Sequence, residues 1–312
     1  MIRIPYINRT LNKLFLISIS LFIICCNSID NHQKPDNWKV YFLGGQSNMD
    51  GYGYNNKLPD TLKGIIPNAM IFDGNRINDN NPGGGIGIWS PMKAGHGVGF
   101  KTDGRSNILS DRFGPELSFA STLATKGARI AIIKYSYGGT ALFAGAGYGN
   151  WEPDFENNNH YDNALTTIRN AYAVTDINND GRLDNLIPAG IIWMQGEADA
   201  QFSQASADAY RDNLKRLMDL LRGALRKDDL PVVIGKINDS HMTPDGGPTQ
   251  PYIATVHVAQ KYFTDNDPCA ALVTETETYK FSSDAWHYDS EGYTRMGNAF
   301  AKAVTMLENT CK

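Results

Sequence analysis

A chain of 312 residues with 42% hydrophobic content is long enough to bury one large core or two modest ones. Its formal net charge of −4 excludes the basic footprint of a nucleic-acid binder. Thirty glycines and 15 tyrosines point to many ordered loops and to aromatic surfaces that suit a polar, sugar-like ligand, although tyrosine is also ordinary core material.

The chain opens on a targeting pattern. Arg3, Arg9 and Lys13 precede an apolar run from Leu14 to Cys26, which is short for a bilayer span and has the form of a signal-peptide core. Residues 1–26 therefore read as an export leader. The run ends in Ile23-Ile24-Cys25-Cys26-Asn27-Ser28, similar to a bacterial lipobox, with Cys26 as the expected lipidation site and Cys25 as the second choice. The usual small residue before the cysteine is missing, so plain secretion stands beside the lipid-anchored reading. Removing residues 1–25 takes three positive charges and no acids from −4 and leaves −7. Residues 27–37 are polar and contain a proline, as a tether does, and 38–312 read as one domain. Cys269 and Cys311 remain; in an oxidising compartment they either pair or stay as buried thiols.

Along the domain, short apolar strands alternate with helical spacing. Lys39–Leu43 is the first strand, and Met70–Phe72 is a short one before an Asp73-Gly74 turn. Residues 75–112, rich in Gly, Asn, Asp and Ser, form a long loop. A helix starts around Pro115, with Leu117, Ala120, Leu123 and Ala124 at helical spacing. Arg129–Tyr135 is the second strong strand, and a helix runs from His160 to Val174. The stretch Asp176 to Asp184 matches the first nine positions of a calcium loop, making Asp176, Asn178, Asp180 and Asp184 candidate ligands of a structural calcium. Ile187 stands where such a loop has its bidentate Glu, so the alternative is a solvated Asx-rich turn. Strands at Ala189–Met194, Pro231–Ile234 and Ala270–Thr274 follow, separated by helices at about Ser206–Arg226 and Pro251–Phe263 and closed by one from Ser290 to Leu307. The class is α/β with a mainly parallel sheet of five strands.

Three of these strands end in polar blocks that carry chemistry. Val40 to Leu43 runs into Gly44-Gly45-Gln46-Ser47, which puts Ser47 at a carboxyl strand end, where open α/β sheets bind their ligands. The competing role for Ser47 is a helix cap. Asp284 and His287 lie three apart before the last helix, close enough for the carboxylate to accept from Nδ1 and leave the other nitrogen to take a serine proton.

Gly45-Gln46-Ser47-Asn48-Met49, Trp193-Met194-Gln195-Gly196-Glu197-Ala198-Asp199 and Asp284-x-x-His287 together resemble the SGNH hydrolase superfamily, and within it the sialate O-acetylesterase and acetylxylan esterase branch. The resemblance runs from about Val40 to Leu307. It implies a three-layer α/β/α sandwich of flavodoxin-like form, with Ser47 as nucleophile, His287 as base and Asp284 as its partner. It also implies an oxyanion hole from the Ser47 N–H, Gly139 (or Gly138) and Gln195, which stands where the wider superfamily has Asn. The activity implied is removal of O-acetyl groups from carbohydrate, with no catalytic metal or organic cofactor. Tyr137, Phe143 and Trp151 after the second strong strand, and Trp286 beside His287, are candidates for a substrate wall. Glu197 and Asp199 read as structural, Trp193 as core, and His96 and His241 carry no assigned role. A general short-chain esterase or thioesterase and a non-catalytic surface carbohydrate-binding protein are the competing readings. The sugar and the oligomeric state stay open.

Overall fold

A computed structural model describes residues 34–125 and 127–311. The expected leader with Cys25 and Cys26, and the tether up to residue 33, lie outside the described residues. Pro35–Lys312 form one compact unit. Among the described residues no helix is long and apolar enough to cross a membrane.

A seven-stranded sheet runs through this unit. Its strands are β1 (Asp36–Gly45), β2 (Ala69–Asp73), β3 (Trp89–Pro91), β4 (Arg129–Ser136), β5 (Asp184–Met194), β6 (Val232–Gly235) and β7 (Ala270–Val273), in the order β7-β6-β5-β1-β4-β2-β3. Every neighbouring pair is parallel except β2–β3 at one edge. The five expected strands are all present. The short Met70–Phe72 run joins them as β2, and β3 arises inside the stretch that composition marks as loop. With three residues, one of them Pro91, β3 is an edge strand that carries no period to read. β1 also starts at Asp36, so the last two tether residues belong to the sheet.

The central strands are covered on both faces, which explains their unbroken apolar runs. Val40 to Leu43 and Ile130 to Ile133 are fully buried. Helices α2 (Glu116–Ala124) and α7 (Ser290–Thr310) pack together, while α3 (His160–Tyr172), α5 (Gln204–Ala224) and α6 (Ile253–Asn266) pack in succession. α5 buries Leu214, Leu217, Met218 and Leu221, and starts with a capping box in which the Ser203 and Ser206 side chains answer each other's backbone N–H. Two short helices, α1 (Ser47–Asp50) and α4 (Glu197–Phe202), follow directly on β1 and β5. Cys269, just before β7, is bonded to Cys311 at the end of α7, with 5.5 Å between their Cα atoms.

From β1 the chain builds outward on one side (β2, β3, β4), then crosses to the other (β5, β6, β7). That reversal around β1 opens a crevice at the carboxyl ends of β4, β1 and β5, the usual ligand position in an open α/β sheet.

Candidate active site

Gly45 ends β1 at φ 147°, and a Cβ there would lie 2.0 Å from the Met194 carbonyl oxygen. Only glycine lets β1 and β5 finish side by side. Gln46 then ties the two strand ends together. Its N–H donates to Met194 O at 3.0 Å, and its Oε1 accepts from the N–H groups of Gly196 and Ala198. Ser47 opens α1 and is 7% exposed. Asn48 reaches the other end of the chain: Nδ2 donates to Glu197 Oε1 at 2.7 Å and to the Trp286 carbonyl at 3.2 Å, and Oδ1 accepts from Tyr293 Oη at 2.8 Å. The residue after Ser47 is thereby bonded to the residue before His287.

The His287 loop is closed by Asp284. Its Oδ1 accepts the backbone N–H groups of Trp286 and His287, both at 3.0 Å, and its Oδ2 lies 2.7 Å from His287 Nδ1. Ala285 sits between them at φ 68°, a left-handed conformation that costs an alanine about 1–2 kcal/mol. With Nδ1–H held by the carboxylate, Nε2 is left as the basic nitrogen. The imidazole lies flat on the Tyr52 ring, centroids 3.5 Å apart and planes 5° from parallel. Burial holds His287 below the ordinary histidine pKa, against the opposing pull of Asp284. Partial burial alone would raise Asp284, but the bonds from His287 and the two backbone N–H groups outweigh it and hold the carboxyl at about 2.

Ser47 and His287 line one cavity of about 410 Å³, together with Tyr52, Gly138, Gly139, Tyr148, Glu197 and Trp286. The hydroxyl makes no hydrogen bond to the imidazole; such contacts are often loose in a free enzyme and tighten around substrate. A Cβ on Gly138 would lie 3.4 Å from Ser47 Cβ, which sets the turn after β4 against the serine. Gly139 follows at φ 72°, again a left-handed conformation that suits glycine. Among the described residues the backbone N–H groups of Ser47, Gly138 and Gly139 have no acceptor.

Several expected site residues are placed elsewhere. Gln195 is fully buried and does not line the cavity. Its Nε2 donates to Thr140 O at 3.0 Å and to Asp199 Oδ2 at 2.6 Å, so both amide hydrogens are taken and none is left for an oxyanion. Trp151 is 1% exposed, packs edge-on against Trp193 at 4.9 Å and donates to Thr140 Oγ1, so it is core and not wall. Tyr137 stacks on His160 at 4.5 Å, bonds to Asn78 and lines the neighbouring cavity. Phe143 packs against Ala141, Ala146 and Ala198. Of the expected wall residues, Trp286 lines the cavity together with Ser47.

In the Asp176–Asp184 loop the expected calcium ligands bond to nearby N–H groups and side chains. Asp176 accepts from the N–H groups of Asp180 and Gly181, and Asp180 pairs with Arg182. Asp184 accepts from Trp38 Nε1 and the Ile177 N–H, while Asn178 bonds to Asp180. Among the described residues no three His, Cys, Asp or Glu side chains are grouped to hold a metal ion.

Two buried acids adjoin the site, and one of them, Glu197, is part of the cavity lining. Glu197 is buried and raised by that burial, with Oε1 on Asn48 and Oε2 unpartnered. Asp199 is pushed up to about 7 by burial, although Gln195 and the N–H groups of Leu142 and Phe143 bond to it. Sequence reasoning missed Tyr52 and Tyr148, since a tyrosine on a loop has no period and no motif to mark it.

The sequence profile of the family described as "Carbohydrate esterase, sialic acid-specific acetylesterase" matches residues 37–306. The chain belongs to this family of carbohydrate esterases. No curated protein matches it. Among solved structures, an Arabidopsis thaliana protein superposes with a TM-score of 0.62 at 20% identity, over 89% of this chain and 100% of that one. NanS gives 0.56 at 18% identity, over 88% and 99%. A carbohydrate acetylesterase from Xanthomonas citri gives 0.54 at 14% identity, over 88% of this chain and 56% of its own length. At such identities the likeness is one of fold. For a carbohydrate esterase, the crevice beside β1 is where the fold brings a serine, an imidazole and free backbone donors together.

Proposed function

We propose that the protein removes O-acetyl groups from carbohydrate through an acetyl-enzyme, with Ser47, His287 and Asp284 as its triad. The observation that carries this is the Asp284–His287 pair on the rim of the cavity into which Ser47 opens. Ser47 Oγ attacks the acetyl carbonyl carbon while His287 Nε2 takes its proton. The tetrahedral oxyanion is met by the N–H groups of Ser47 and Gly139, each such donor being worth on the order of 10²–10³ in rate. The bond to the sugar oxygen breaks and His287 returns the proton to that oxygen. Water then attacks the acetyl carbon on Ser47 as His287 again takes a proton; the bond to Ser47 Oγ breaks, His287 returns the proton to Oγ, and acetate leaves. Asp284 holds Nδ1–H throughout and stabilises the imidazolium. Gln195 acts from behind, fixing the Thr140 carbonyl and with it the Gly138-Gly139 turn.

A phosphonate probe for reactive serines tests this: it labels the wild type and not Ser47→Ala, and acetate release from acetylated glycans disappears in Ser47→Ala and His287→Ala. Undiminished labelling of Ser47→Ala removes Ser47 as nucleophile. The proposal extends to location, an exported esterase lipid-modified on Cys26. Metabolic labelling with a fatty acid, lost in Cys26→Ala, reads that part separately.

A further inference from the structure

The cavity at Ser47 does not stand alone. On one side lies a cavity of about 590 Å³ lined by Tyr52, Tyr54, Lys57, Tyr288 and Ser290. On the other lies one of about 650 Å³ lined by Asn78, Asn80, Tyr137, Tyr148 and Phe155. Tyr52 lines both the first and the central cavity, and Gly147 with Tyr148 line both the central and the last. Their walls come largely from the loops after β1, β2, β4 and β7, so all three sit at the carboxyl edge of the sheet. Tyr148 is 86% exposed where two of them meet, and Tyr54 is 45% exposed with the Arg112 guanidinium 3.5 Å above its ring. Exposed aromatic planes beside amide groups are the surface on which sugar rings stack and bond.

The charge of these walls is equally informative. Neither the central cavity nor the one at Asn78 is lined by any arginine or lysine among the described residues, while Glu197 lines the first and Asp79 the second. Arg76, the cation nearest in sequence to Asn78, is committed to Asp50 at 2.6 Å and to the Ser136 carbonyl. A sugar carboxylate is ordinarily met by a guanidinium fork or an ammonium, and no such side chain lines the cavity at Ser47; Arg112 donates to the Tyr52 carbonyl at 2.9 Å and stacks on Tyr54.

Resting on the esterase reading above, we infer that the three cavities form one groove for a chain of neutral sugars, with the acetylated residue in the middle, and that a sialic acid is a poor occupant of it. The family description names sialic acid; the central cavity and the one at Asn78 offer its carboxylate no arginine or lysine, and Lys57 lines the cavity beyond Tyr52 instead.

The test compares kcat/KM of the full chain on four substrates: an aryl acetate, O-acetylated xylose, an O-acetylated xylotetraose and an O-acetylated sialic acid. The tetrasaccharide is expected to exceed both single sugars by at least about ten-fold, mostly through KM, as one further stacking contact on each side supplies. Tyr54→Ala and Tyr148→Ala each lower the tetrasaccharide-to-aryl-acetate ratio by about three- to ten-fold. Equal kcat/KM for tetrasaccharide and xylose, or a preference for the sialate, overturns the inference. Failure of the aryl acetate itself counts against Ser47 and His287 as the chemistry. Calorimetry with unacetylated xylotetraose then still decides the groove, since absence of binding by the wild type overturns it.

Discussion

At the scale of the residue, His287 is poised by two opposed influences. Burial favours the neutral ring, and the Asp284 carboxylate favours the charged one, with burial prevailing. A neutral imidazole is the form that accepts a serine proton, so activity is lost as pH falls and the ring protonates. The expected kcat/KM profile on an aryl acetate rises with pH through an apparent pKa below the ordinary histidine value of about 6.5. A limb that rises only above that value contradicts the assignment. Tyr52 gives a second prediction. Its ring is the floor on which the imidazole lies, so removing it frees the base without touching the Asp284 bond. Tyr52→Ala is expected to lower kcat on an aryl acetate on the order of ten- to a hundred-fold, and Tyr52→Phe, which keeps the flat face, to retain most of it. Loss of equal size in both variants would assign the effect to the hydroxyl instead.

At the scale of the element, α1 has four residues and cannot hold itself. What fixes it lies beneath. Lys134, fully buried in the middle of β4, donates to the Asp50 carbonyl at 2.9 Å, the His96 carbonyl at 2.7 Å and Glu116 Oε2 at 2.8 Å, while Arg76 holds the Asp50 carboxylate. Lys134→Met leaves Glu116 buried without its cation and is expected to cost about 3–5 kcal/mol. Adding Glu116→Gln should recover part of that loss; urea denaturation of both variants measures it. The turn at Asp176–Asp184 yields the opposite expectation. Its carboxylates already serve backbone N–H groups and Arg182, so neither calcium nor a chelator should move the melting temperature. A bound structural ion at a hundred times its Kd would add about 2.7 kcal/mol and show plainly.

These elements also mark what the sequence could and could not disclose. The strands β1, β4 and β5 announce themselves by apolar runs, and the Gly45-Gln46-Ser47 and Asp284-x-x-His287 blocks by their place after strands. Their convergence was legible because open sheets bind at strand ends. Side-chain direction was not. Gln195 follows β5 directly, yet its amide turns back to Thr140 and Asp199, since a nearby buried carboxylate is a stronger acceptor than an empty cavity. Trp151 sits on a glycine-rich loop that folds inward, so its loop position says nothing of its burial. Lys134 hides inside an apolar run because its partners come from three separate segments.

At the scale of the whole molecule, stability and chemistry are anchored at opposite ends of α7. The His287 loop leads into its first turn, and Cys311 follows its last residue. A 21-residue helix is about 31 Å long, so the disulfide lies far from the imidazole. The bridge closes a loop across a sequence separation of 42, which by chain entropy restricts the unfolded state by about 4 kcal/mol. Nothing at the cavity depends on it directly: Asp284, Tyr52 and Asn48 hold the site through contacts at the other end of the helix. Cys269→Ser with Cys311→Ser is therefore expected to lose about 2–4 kcal/mol of stability in urea. Its kcat on an aryl acetate should match the wild type at any temperature where both are folded. If kcat falls while circular dichroism stays native, α7 carries strain from the bridge to His287, and the separation of roles along that helix is wrong.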